Sequence, residues 1–158
     1  MLDSRSTSRS VDGILTEIVL QAYADRILVL ITQMGKVGNL IQASIPATTP
    51  LLPALGPDPA QPNVRPLPPP PAAIQLTPLL GNAPSEHMQT LHSLYTAQIA
   101  TIIWTAESAG AMEIDRRNVV VGIALRKSDG DADEGLSEKE RMVFLDVMDM
   151  LRELLANA

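Results

Sequence analysis

No cysteine occurs anywhere in the 158 residues of the chain. Disulfide frameworks and thiolate metal centres are therefore excluded, and a reducing compartment is permitted. Aromatic side chains are almost as scarce, with one Phe, one Trp and two Tyr. A core has to be assembled from Val, Ile, Leu and Met instead. Positive charge is in deficit, with a net charge of −6 and a sequence pI ≈ 4.8. Such a balance cannot neutralise a row of phosphates, which sets nucleic acid aside as a partner. No apolar run approaches the ~20 residues that span a bilayer, and the chain reads as soluble. Residues 1–10 hold Arg5 and Arg9 among serines, with no apolar stretch behind them. That pattern is no secretory signal and only loosely that of a transit peptide; a frayed, disordered tail is expected.

Aliphatic residues come in short blocks. Residues 14–24 (ILTEIVLQAYA) and 26–32 (RILVLIT) are β-branched and apolar, separated by a tight break at Ala24-Asp25, and residues 37–45 (VGNLIQASI) continue after a Gly-Lys segment. Connections this short predict three antiparallel strands in a meander. The unbroken apolar run from Ile27 to Ile31 predicts a strand covered on both faces. Residues 46–71 then hold 11 of the 13 prolines. Proline cannot donate to a strand ladder, so an extended, polyproline-like and partly disordered loop is expected here.

Residues 72–80 (AAIQLTPLL) predict a fourth strand, ended by Gly81-Asn82. From Ser85 to Ala109 the period changes. Met88, Leu91, Tyr95, Ile99, Ile102 and Ala106 recur three or four apart, which predicts an amphipathic helix stopped at Gly110. Residues 118–125 (NVVVGIAL) predict a buried strand, and residues 128–135 a polar loop. Ser137 with Glu140 has the spacing of a capping box before a second helix, whose stripe is Phe144, Val147, Met148, Leu151 and Leu155. The order βββ–loop–βαβα predicts an α+β domain: an antiparallel sheet of about five to six strands with two helices.

Candidate chemistry fails on spacing. The strand–Gly35-Lys36 junction invites a phosphate-binding loop, but position 30 is Leu where that motif needs Gly, and position 37 is Val where it needs Ser or Thr. Asp129, Asp131 and Asp133 occupy positions one, three and five of a calcium-type loop ending in Glu140, yet the turning position is Glu134 instead of Gly. His87 and His92 are five apart, diverge around a helix and are expected at the surface. Ala106-Glu107-Ser108-Ala109-Gly110 resembles a nucleophile elbow without its first Gly, but it closes a helix. No catalytic, cofactor or metal residue is assigned. Arg65, Pro68 and Pro71 have the Arg-x-x-Pro-x-x-Pro spacing of an SH3-type ligand, so an adaptor that recruits such a partner is one reading.

A second reading comes from resemblance. Residues 18–42, "IVLQAYADRILVLITQMGKVGNLIQ", resemble the opening of the proteasome assembly chaperone 3 family: a strand, a short turn, an apolar strand and a Gly-Lys-x-Gly segment in that order. The likeness resumes at "LTPLLGN" (76–82), "AESAG" (106–110) and "RNVVVGIALR" (117–126), and continues into the terminal helix. The proline-rich loop, the longer first helix, the insertion at 111–116 and the acidic loop depart from that family. The resemblance implies one proteasome-assembly-chaperone-like domain over residues 11–158, with its proline-rich loop at 46–71. It implies a non-enzymatic chaperone of the 20S proteasome, without cofactor, nucleic acid or membrane. The implied partners are an assembly chaperone 4-like protein (as a heterodimer, or a homodimer when alone) and proteasome α-type subunits, notably the fifth, held while the α ring forms. The implied place is the cytoplasm, with the nucleus left open. On this reading Val29, Ile31, Leu40, Val119 and Val121 build the core and dimer sheet. Gln33, Met34, Gly35 and Lys36, taken as a hairpin loop, touch the client.

Overall fold

Asp12 and Gly13 both have positive φ, 52° and 75°, the backbone of a two-residue hairpin turn that matches strand twist. In the computed structural model this turn joins β1 (Asp3–Val11) to β2 (Ile14–Ala22), paired from Asp3↔Ala22 to Val11↔Ile14. The structure describes residues 3–33, 38–51, 60, 66–81, 85–108, 117–125 and 138–156. Residues 3–10 thus form a strand, and the expected disordered tail is corrected over that span. Its inward positions are Arg5, Thr7 and Arg9, so the alternation that marks a half-buried strand carries no apolar signal.

The remaining elements are β3 (Arg26–Thr32), β4 (Asn39–Ser44), β5 (Gln75–Leu80), α1 (Glu86–Ser108), β6 (Asn118–Ala124) and α2 (Glu138–Ala156). They make an α+β fold of one six-stranded sheet, ordered β1-β2-β3-β6-β4-β5, with two helices. The meander holds for β2 and β3 but not for β4. β6 lies between β3 and β4, parallel to the first and antiparallel to the second, so the sheet is mixed instead of wholly antiparallel. Val119 to Ile123 are all buried, as a central strand with apolar neighbours on both sides requires.

β3 and β4 are therefore not joined as a hairpin, and the described residues on either side of 34–37 are both fixed at the end of β6. The Gln33 amide donates to the Ala124 carbonyl at 3.0 Å. A Cβ added at Gly38 would stand 1.8 Å from the Ile123 carbonyl oxygen, so only glycine fits.

One face of the sheet carries the core. Ile18 and Leu20 of β2, Ile27, Val29 and Ile31 of β3, Ala43 of β4, and Val119, Val121 and Ile123 of β6 pack into one cluster with both helices. α1 lies over β4, β5 and β6, while α2 lies against β1 and α1. α1 is buried on more than one stripe, from Gln98 through Trp104, because sheet, α2 and chain segments enclose it. Trp104 Nε1 donates to the Arg117 carbonyl at 2.8 Å, and Arg117 Nη1 donates to the Tyr23 carbonyl at 2.7 Å, which ties the end of α1 to the start of β6. Arg117 also pairs with Glu107. The described end of the proline-rich loop is docked. Gln98 Nε2 donates to the Pro68 carbonyl at 2.9 Å, Arg152 Nη2 to the Pro66 carbonyl at 2.5 Å, and Leu67 packs against the core.

Candidate protein-interaction site

Period-two alternation gives the sheet a second face, and its register can be read strand by strand. Val19↔Leu30, Leu28↔Val120, Leu30↔Gly122 and Leu40↔Gly122 are paired positions. Val19, Leu28, Leu30, Val120 and Leu40 consequently share the face turned away from the helices. Val19, Leu28, Leu30 and Leu40 are half-buried, and Val120 is shielded by its neighbours in the sheet. Glu17, Gln21, Thr32 and Gln42 frame them, with Leu15 and Leu80 exposed towards the two sides of the sheet. The helices, and the docked segments with Ile45, Leu51, Leu67 and Ile74, pack on the other side, against the core. The result is an aliphatic sheet face with a polar frame, suited to a second sheet packed about 10 Å away.

The expected dimer residues divide between the two faces. Val29, Ile31, Val119 and Val121 are each 0% exposed and belong to the core. Leu40 alone of that group lies on the open face. Val19, Leu28, Leu30 and Val120 share that face with Leu40; a continuous apolar run does not reveal which alternate residues turn towards the helices, whereas register does.

Of the loop residues, Gln33 is half-buried, and its Nε2 donates to Thr16 Oγ1 at 3.0 Å. Its amide and side chain thus fix Gln33 itself against β6 and β2. Met34, Gly35 and Lys36 lie outside the described residues. So do Arg65 and the aspartates of the calcium-like run. Pro68 is buried, and its carbonyl is taken by Gln98. A polyproline ligand must lay its prolines in an aromatic groove, so the SH3-type reading fails at that residue. Pro71 remains half-exposed.

Both histidines depart from the expected surface positions. His87 Nε2 donates to Glu140 Oε1 at 2.9 Å and Oε2 at 2.7 Å, which clamps the first turn of α1 to the first turn of α2. Glu140 is only 6% exposed and turned into this pair, so it is not a loop ligand for calcium. His92 is buried, with Nδ1 3.2 Å from Asn39 Nδ2. With the amide donating to Nδ1, the imidazole proton stays on Nε2, which meets no partner among the described residues. Burial lowers the His92 pKa below its ordinary 6.5. The Tyr95 hydroxyl is shifted well above its usual value, first by burial and then by the charges of Glu140 and Asp146, while its ring meets Phe144 edge-on at 5.0 Å. Among the described residues no group of three or more His, Asp or Glu could hold a metal ion, and no helix is long and apolar enough to cross a membrane.

No protein-family model matches the chain, and no curated protein matches it. Among solved structures it is similar to a chain of the crystal structure of a novel chaperone complex for yeast 20S proteasome assembly. The two are 17% identical over 94% of this chain and 98% of that one, with a TM-score of 0.48. Likeness of that degree carries no function across.

Proposed function

We propose that this chain is a non-enzymatic chaperone of 20S proteasome assembly, acting in the cytoplasm as a dimer through the open face of its sheet. The observation that carries the reading is that face: Val19, Leu28, Leu30, Leu40 and Val120 aligned in register, with the helices on the opposite side. Desolvating apolar surface contributes roughly 25 cal/mol per Å², and a second aliphatic sheet is the partner that matches it in shape and chemistry. The sequence resemblance names that partner as an assembly chaperone 4-like chain, or a second copy when alone, and the client as an α-type subunit, notably the fifth. On the same resemblance, Gln33, Met34, Gly35 and Lys36 would touch the client. A chaperone must also let go, so the client contact has to be smaller and more polar than the dimer contact.

Affinity capture of the tagged chain from cell extract tests this. Recovery of a second small chaperone together with α-type proteasome subunits is expected. Lys36→Glu should lose the subunits and keep the chaperone partner. Recovery of neither class with the native chain overturns the reading.

A further inference from the structure

The two rims of the sheet are built differently. β5 contains Pro78, which lacks an N–H, and the ladder beside it slips in register between Leu40 and Ile41. Prolines and irregularities of this kind keep other strands from adding to an edge. β1 has neither. Its nine residues run in unbroken register with β2, without proline or bulge. Arg5 and Arg9, the charges that could guard this rim, turn to the helix side. There Arg9 donates to Asp149 Oδ2 at 3.4 Å and Glu153 Oε2 at 2.6 Å on α2.

The turn fixes which backbone groups face outward. In a two-residue hairpin the flanking pair, Val11 and Ile14, is hydrogen-bonded. Alternation along an antiparallel ladder then commits Arg9, Thr7 and Arg5 to β2. The N–H and C=O groups of Ser4, Ser6, Ser8 and Ser10 point to the free rim, and all four side chains are exposed. Residues 4–10 read Ser-Arg-Ser-Thr-Ser-Arg-Ser, the same in both directions about Thr7. A two-fold interface demands that one surface complement itself, and an antiparallel strand with this symmetry does so.

We infer that β1 is a self-pairing edge: two copies of the chain join their β1 strands antiparallel about Thr7, so that one sheet continues into the next. Ser6 then faces Ser8 of the second copy and Ser4 faces Ser10, in hydrogen-bonded pairs that supply roughly eight backbone bonds. Their hydroxyls lie on one face, where serine pairs bond across strands. Arg5 comes opposite Arg9 of the second copy, beside that copy's Asp149 and Glu153, so two carboxylates balance two guanidinium groups. A single strand edge is small against the roughly 1,200 Å² of a standard interface, and the pairing is reversible and concentration-dependent. It is a rim contact, separate from the open face, and stands without the reading proposed for that face.

The chain holds no cysteine, so Thr7→Cys places one thiol in each copy, at the two-fold axis. Facing residues of a non-hydrogen-bonded pair have Cα atoms about 4.5 Å apart, within disulfide reach. With oxidised glutathione as oxidant, T7C should form a disulfide-linked dimer on a non-reducing gel, while S4C, away from the axis, should not. In sedimentation across a dilution series the native chain should dimerise. Ser8→Pro removes an outward N–H without touching the β1–β2 ladder, and should shift the dissociation constant at least about tenfold while the far-UV circular dichroism stays the same. Equal cross-linking of T7C and S4C, a native chain that stays monomeric throughout, or a Ser8→Pro variant that dimerises as tightly as the native chain each overturns the inference. The last outcome would assign the dimer to another surface, such as the open face.

Discussion

Gly38 stands so close to the carbonyl oxygen of Ile123 that a single added methyl would lie 1.8 Å from it. The contact is with backbone at the end of a central strand, which has no rotamer to escape into. Gly38→Ala must therefore push β4 and β6 apart there, and should cost at least about 2 kcal/mol by urea denaturation. Gly13→Ala meets nothing within 4 Å but keeps φ at 75°, so its cost is the left-handed backbone alone, about 1–2 kcal/mol. If the two variants prove equally stable, the close approach of Gly38 to the Ile123 carbonyl is wrong.

The two faces of β3 separate binding from folding. Leu30 is half-buried on the open side and Val29 fully buried against the helices. Leu30→Asp should abolish association through the face, as judged by light scattering alone and with the partner proposed above, and leave a cooperative unfolding transition. Val29→Ala should lower stability by about 2 kcal/mol and leave association intact. The opposite pattern would exchange the roles of the faces.

Acid should weaken the fold through His92. Its folded pKa lies below the 6.5 of a free imidazole because burial disfavours the cation. As pH falls through about 6.5 the unfolded chain takes up this proton before the folded one does. Stability from the neutral ring is thus present above that value and lost below it. Between about pH 7.5 and about pH 5.5 the native chain should lose more stability than His92→Gln, a variant that still offers Asn39 an acceptor and takes up no proton there. Parallel pH profiles for the two would refute the assignment.

Much of this fold is legible in the order of residues. Met88, Leu91, Tyr95, Ile99 and Ile102 recur at helical spacing, and all are buried on α1. Ala106 continues the stripe on paper but is exposed, two residues short of the helix end. Val147, Met148 and Leu151 are likewise buried on α2. β1 escapes such reading because, short of Val11 at its end, its inward side chains are Arg5, Thr7 and Arg9, and Arg9 meets carboxylates on α2. The place of β6 escapes for another reason: strand order is a long-range property, and short connections between β2, β3 and β4 say only that they are close. His87 and His92 do diverge around α1. Their partners, Glu140 and Asn39, are each 53 residues away, on either side of α1 in the chain, so no local pattern could disclose that each would be used.

The position of β6 also sets a schedule for folding. The hairpin of β1, β2 and β3 and the pair of β4 and β5 can each close as soon as they emerge from the ribosome. Among the described strands none pairs the two halves until Asn118 has been made to meet Arg26 and Val119 to meet Ala43. Contacts so distant in sequence raise the contact order and slow the final step. Until then Ile27, Val29 and Ile31 form an aliphatic edge without its neighbour, the kind of nascent surface that invites aggregation. A chain ending before residue 118 would hold two separate pieces of sheet, so the sheet can close only once β6 has been made.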